Sequence, residues 1–329
     1  MTHRADPWAF HPHPAAWAVV VGVALAYLLA LHLVPASSRA RPTRRQWSSL
    51  AGGLLTLAVA LTWPLADLAA HWSLTALLAQ RLLITLAAAP LLLLAVPAPV
   101  LARLTRPAPI DAVLDFVTRP VVAVAAFSAI AVGTLASPVV AEQSSSALAR
   151  GGIDALLLAG GGLLWGPVLR NIPGAHRPGS LGVAVYLFVQ SIVPTFPAVI
   201  FIFARHPIYP AFAAVHRALG VSALADQQIS GVMAKVATLP VLWTAAWVAM
   251  ARAQAADREG RDVEPLTWAE VERQLERASR SEARRRAHPR RQRVSAIPRP
   301  APGGGWLPPG DTQSPGGPTQ GSGPAPGDP

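Results

Sequence analysis

Two cations standing alone in apolar surroundings are the residues of this chain best suited to chemistry. Arg81 and Lys235, the latter the only lysine, each interrupt a long apolar run, as do Asp154 and the group Asp226-Gln227-Gln228. A charged side chain within hydrocarbon is costly and marks a functional site by default. Gln80 adjoins Arg81, and the six residues Gln80, Arg81, Asp154, Asp226, Gln227 and Lys235 are expected to face one polar pocket where the charges offset one another. The plainer role for the same residues is packing, with Arg81 and Lys235 snorkelling or pairing with Asp154 and Asp226 to hold helices together.

Imidazoles form the second set. His3, His11 and His13 lie near the N-terminus, His71 before the third apolar run, and His206 and His216 before the last. Imidazole suits copper and zinc. His11, His13 and His71 are therefore the first candidate metal ligands and His206 or His216 the next, although a solvated loop accounts for each of them as well. Cysteine is absent and methionine numbers 3, which removes disulfides, thiol redox chemistry and a methionine relay for Cu(I). No nucleophile–base set and no phosphate-binding loop occurs, so the chain is not expected to be an enzyme.

Positioning these residues falls to apolar stretches near 14–35, 48–66, 73–98, 121–140, 151–169, 180–204 and 228–250. Each approaches the roughly 20 residues that a spanning helix needs. Composition agrees: 52% hydrophobic, 14% charged and a mean hydropathy of +0.38 leave too little polar surface for a water-soluble globule of this length. The expected fold is all-α, a polytopic membrane helix bundle of about seven transmembrane helices. Arg81 then lies roughly 12 Å deep at 1.5 Å per residue, and Lys235 at a similar depth from the same side. Prolines at 64, 90, 97, 167, 194, 197 and 240 predict kinks, and Gly151, Gly152, Gly160, Gly161 and Gly162 predict close helix packing around an internal cavity.

Basic residues alternate between the connecting loops. Arg39, Arg41, Arg44 and Arg45 follow the first span, Arg103, Arg106 and Arg119 the third, and Arg170 and Arg177 the fifth, whereas the other loops hold few. The positive-inside rule then places the N-terminus outside and the C-terminus in the cytoplasm. The first span is too long, and its leader too weakly basic, for a cleavable signal peptide, although Ala36-Ser37-Ser38 is a passable site. The membrane domain is expected over 1–252, a charged helix and basic segment over 253–294, and a disordered Pro/Gly-rich tail over 295–329. Thr267 and Glu270 form a capping box for that helix. The plain role of that helix is a solvated cytoplasmic one; the sharper role is docking on a partner or on anionic lipids, for which Arg284, Arg285, Arg286, Arg290, Arg291 and Arg293 form a basic cluster. The net charge of +11 is localised in this way, and no groove for nucleic acid appears.

Across about 8–250 the chain resembles the CtaG family of cytochrome c oxidase assembly factors, seven-span bacterial membrane proteins associated with copper insertion. The resemblance is carried by Trp8, Phe10, Trp47, Gly53 and Trp63-Pro64-Leu65, by Gln80 with Ala89-Pro90-Leu91-Leu92 to Pro97, by Gly162-Leu163-Leu164-Trp165-Gly166-Pro167-Val168, and above all by Asp226-Gln227-Gln228-Ile229-Ser230-Gly231. It implies a plasma (inner) membrane location, oxidase subunits as partners, and a role either in copper insertion or as a scaffold that holds an oxidase subunit. The departures matter equally. The family's His-x-x-Gln-His on the third span reads Leu77-Leu78-Ala79-Gln80-Arg81 here, and Asp154 takes the place of a histidine on the fifth. Guanidinium and ammonium groups repel a metal ion that imidazoles would bind. An ionic network of Arg81, Asp154 and Lys235 is therefore expected where the metal site would be, with Arg81→Leu destabilising unless Asp154 is neutralised too. The alternative is a small-solute or anion-binding transporter that uses Arg81 and Lys235 as counter-charges.

Overall fold

The computed structural model describes residues 8–32, 42–169, 172–176, 178–193, 195–213, 220–259 and 268–287. All regular structure among them is helical. Helices α1 (Pro14–His32), α4 (Leu74–Ala95), α9 (Ala147–Leu169), the pair α10 (Ser180–Ile192) and α11 (Thr195–Phe203), and α13 (Ala223–Arg258) give 5 candidate membrane spans by length and apolarity. The count rises to 7 if two bent pairs are each one span: α2 (Arg44–Leu61) with α3 (Leu65–Trp72), bent by 46°, and α6 (Ala108–Val117) with α7 (Pro120–Gly133), bent by 82°. The protein is an all-helical membrane protein. Short helices α5 (Ala98–Leu104), α8 (Ser137–Ser145) and α12 (Pro210–Ala213) connect the spans.

Two expected boundaries move. The run read as 121–140 is divided, because Thr134 folds back onto the Ile130 carbonyl and Pro138, lacking an N–H, can sit only in the first turn of a new helix, α8. The last span is longer at both ends than 228–250. Ser222 caps its first turn by accepting from the Ala225 N–H at 3.1 Å, and helix-forming alanine, arginine and glutamine carry it to Arg258, past the boundary expected at 252.

Prolines within the spans free carbonyls, and aromatic side chains take them up. The α4 ladder passes through a π turn at Leu83–Ala88, in which the Ala89 N–H donates to Ile84. Pro90 cannot supply the next N–H, to Thr85. The Trp165 indole of α9 donates to that Thr85 carbonyl at 3.0 Å. Pro167 likewise leaves the Leu163 carbonyl open. The Tyr186 hydroxyl of α10 donates to Leu163 and Leu164 at 3.3 and 3.0 Å, and Gln190 Nε2 donates to that hydroxyl at 3.2 Å. Buried polar groups in lipid need such partners.

The bundle has two chemically distinct ends. One, the histidine end, gathers the start of α1, α3, the start of α4, α8 and the start of α13, as the Ser73–Asp226 and Tyr209–Leu135 hydrogen bonds show. The other gathers the start of α2 and helices α5 and α6, with Tyr27 donating to the Ala95 carbonyl and Thr105 to that of Pro173.

The chain divides into two units, Met1–Gln274 and Leu275–Pro329. The first holds the bundle and the first turns of α14 (Trp268–Ala287), where Arg273 donates to Thr105 Oγ1 at 3.2 Å, Asp111 Oδ1 at 3.4 Å and the Ala102 carbonyl at 3.3 Å. The described part of the second is the remainder of α14. Thr267 of the expected capping box, Arg290, Arg291 and Arg293 of the basic cluster, and the tail from 295 lie outside the described residues.

Candidate functional site

Arg81 lies two turns into α4 and is 5% exposed. Its guanidinium donates to Thr134 Oγ1 at 3.3 Å, to the Thr134 carbonyl at 3.0 Å and to Gln143 Oε1 at 2.8 Å. All three acceptors are neutral. Arg81 Nε is buried without a hydrogen-bond partner, as are Gln80 Nε2 and Asp154 Oδ1. Asp154 is within electrostatic reach of Arg81, but among the described residues no ion pair joins them. Lys235 turns elsewhere and donates to Thr195 Oγ1 at 2.5 Å, beside the break between α10 and α11. The expected Arg81–Asp154–Lys235 network is thus corrected: the two cations serve different helix interruptions.

Asp226 and Gln227 are spent on holding the last span. Asp226 accepts from Ser73 Oγ at 2.8 Å and from the Leu74 and Thr75 N–H groups at 2.7 and 3.4 Å, while Thr75 Oγ1 donates back to the Asp226 carbonyl at 2.9 Å. The first N–H groups of a helix lack intrahelical partners, and a carboxylate there also meets the positive end of the helix dipole. Gln227 Oε1 accepts from the Ile208 N–H at 2.8 Å, and Gln228 Nε2 donates to the Ala204 carbonyl at 3.4 Å. A Cβ on Gly231 would lie 2.7 Å from the Ala198 carbonyl oxygen, so glycine is what lets α13 touch the α11 backbone. The six-residue motif is a clamp joining α13 to α4 and α11. Of the six residues expected to share one pocket, only Arg81 lines the central cavity.

At the histidine end the N-terminal segment folds against α3. Asp67 Oδ2 lies 3.3 Å from His11 Nδ1, and Asp67 Oδ1 lies 3.2 Å from His13 Nε2. His71, one turn beyond Asp67, is exposed and within electrostatic reach of both Asp67 and His11. Among the described residues no three His, Cys, Asp or Glu side chains form a group able to hold a metal ion. Asp67 was not a candidate from sequence, though its position four residues before His71 puts both on one helical face. His206 is exposed, and His3 and His216 lie outside the described residues. Tyr209 is a further unanticipated member: its hydroxyl donates to the Leu135 carbonyl at 2.7 Å, and burial pushes its pKa up to about 12.

The comparison with protein families bears directly on this geometry. The cytochrome c oxidase caa3 assembly factor family (Caa3_CtaG) matches residues 25–255, from within α1 to near the end of α13. The chain belongs to this family. No curated protein and no solved structure matches it. The clamp, the Trp165–Thr85 bond and the π turn of this Caa3_CtaG protein all lie inside the matched residues. The third-span positions where the resemblance places histidines carry Leu77, 1% exposed in an apolar cluster, and the Arg81 guanidinium. Those donors do not suit copper. The imidazoles of His11 and His13 are of a ligand type that suits copper, but with Asp67 they do not form a group able to hold an ion.

Proposed function

We propose that this Caa3_CtaG protein aids cytochrome c oxidase assembly in the plasma membrane by holding an oxidase subunit, without carrying copper through the bundle and without catalysing a reaction. The supporting observation is the use made of the intramembrane polar groups. Asp226, Gln227 and Lys235 are bonded to backbone or hydroxyl partners of neighbouring helices, and a cation occupies the position at which the family resemblance places an imidazole. A metal passed along that route would meet guanidinium instead of a lone pair.

The positive-inside pattern supports an orientation with the N-terminus outside, which puts the histidine end on the outer face. Copper, where handled, meets the protein there, at His11, His13 and Asp67 with His71 beside them. The basic residues after α14 are proposed to rest on anionic lipids of the inner leaflet. The rival transport reading gains nothing from the geometry, since Arg81 and Lys235 do not share a cavity. The test is terminal oxidase activity and subunit content in membranes of a deletion strain, with complementation by wild type and by a His11→Ala/His13→Ala variant. Complementation by both, with oxidase subunits recovered, supports a holding role. Failure of the double variant, repaired by added copper, assigns copper delivery to the histidine end.

A further inference from the structure

Arg81 is a buried cation without an ion pair: the Asp154 carboxylate, itself buried with an unpartnered Oδ1, is within electrostatic reach but makes no ion pair with it among the described residues. The three partners of the Arg81 guanidinium are neutral, no carboxylate among the described residues lies within ion-pairing distance, and Nε has no acceptor. Such a group is costly in a bilayer unless an anion or strong acceptor reaches it. Arg81 borders a central cavity of about 80 Å³ between α4, α7, α9, α10, α11 and α13. All its other lining residues are apolar except Thr85, Gln190 and Thr238. Gln190 contributes a second buried atom without a partner, its Oε1. Helix α7 is seated on α9 and α10 and packs only slightly on α11 and α13, and the lining residue Val132 is 41% exposed. The cavity therefore opens sideways, through the apolar flank of the bundle.

We propose that this cavity takes the head of an amphiphile, which presents an acceptor oxygen, carboxylate or carbonyl, to Arg81 Nε, while its apolar chain passes out through the side opening into the bilayer, because about 80 Å³ holds a head and the first methylenes only. The walls decide against other occupants. Ordered water needs two to four polar partners each, which the polar lining residues can supply beside Arg81 but the apolar remainder of the cavity cannot. A small hydrophilic anion would find one cation and no ring of donors. A helix of a partner protein, about 10–12 Å across with its side chains, does not enter a space of this size. The proposal goes beyond the assembly role and does not rest on it.

The experiment is equilibrium binding of radiolabelled palmitate to the full-length protein in detergent, with decyl-ubiquinone and hexadecanol as competitors. Palmitate and the quinone carry the two head chemistries, and hexadecanol carries the chain without a carboxylate or carbonyl. The account expects saturable binding near one per protein of whichever head is native, competition by hexadecanol at least tenfold weaker, and at least tenfold loss in Ala131→Phe, which fills the cavity from α7 and keeps Arg81 itself. Should Ala131→Phe not purify as a monodisperse protein, Ala234→Leu fills the same space from α13. Preference for palmitate identifies an acid as the natural head and preference for the quinone a carbonyl. Non-saturable binding of both, equal competition by hexadecanol, or undiminished affinity in a folded cavity-filling variant overturns the proposal.

Discussion

Replacing Gly161 by alanine measures how closely α9 approaches the π turn of α4. An added Cβ would sit 2.6 Å from Ala89 Cβ, 3.0 Å from the Thr85 carbonyl oxygen and 3.1 Å from Thr85 Cα. None of these atoms belongs to a flexible side chain, so relief requires α9 to move away. Overpacking of this kind costs about 1–3 kcal/mol. Moving α9 also stretches the Trp165–Thr85 hydrogen bond, whose loss adds about 1 kcal/mol. The sum, about 2–4 kcal/mol, is roughly a 30- to 1,000-fold shift in the folding equilibrium. The neighbouring glycines are internal controls. At Gly162 a Cβ meets nothing within 4 Å, and at Gly160 the closest atom is the Ile130 Cγ2 methyl at 3.3 Å, on a side chain that can turn. Alanine at 162 should be neutral or gain roughly 0.5–1 kcal/mol of helix propensity. Thermal unfolding of the purified variants in one detergent, followed by circular dichroism, should give midpoints falling in the order Gly162→Ala, Gly160→Ala, Gly161→Ala. Equal midpoints at 161 and 162 would refute the reasoning.

Other perturbations probe the polar contacts. Trp165→Phe keeps the ring but leaves the Thr85 carbonyl open, and should cost about 1–3 kcal/mol in the same unfolding assay. Asp226→Ala leaves the Leu74 and Thr75 N–H groups without their carboxylate and should cost about 1–2 kcal/mol or more, and Ser73→Ala, which removes the N-cap bond from the Ala76 N–H and the donor to Asp226 together, should cost about as much. Arg81→Leu exposes Gln143 Oε1 and the Thr134 carbonyl as buried unpaired acceptors and should destabilise by about 1–3 kcal/mol. Adding Asp154→Asn should not restore stability, because Asp154 makes no ion pair with Arg81 and takes no part in holding Gln143 or Thr134. Full rescue, read as a recovered midpoint, would reinstate the ionic network.

Hydropathy made the spans legible because roughly 20 apolar residues in a row have few other uses. Proline marked the interruptions, though not their form. Pro90 ends up over a π turn and Pro138 starts a new helix, since the outcome depends on which neighbour can take the freed carbonyl. The charges inside the apolar runs were conspicuous, whereas their partners were not. Asp226 meets Ser73 across 153 residues of sequence, and Arg81 meets Gln143 across 62. Neither Ser73 nor Gln143 is conspicuous alone, and no local spacing connects them. Reading depth from residue count placed Arg81 and Lys235 at one level but said nothing of their direction around the helix axis, which separates them. Asp67 was missed for the opposite reason: a single acidic residue at a span end looks like an ordinary solvated group until the N-terminal histidines fold onto it.

The measurement that bears most directly on the account is terminal oxidase activity in membranes of a strain lacking this protein, grown with and without added copper. The account predicts that activity and oxidase subunit content fall together and that copper does not restore them, because a holding factor cannot be replaced by its metal. Full recovery with copper alone would contradict it and would make metal delivery at His11, His13 and Asp67 the protein's task.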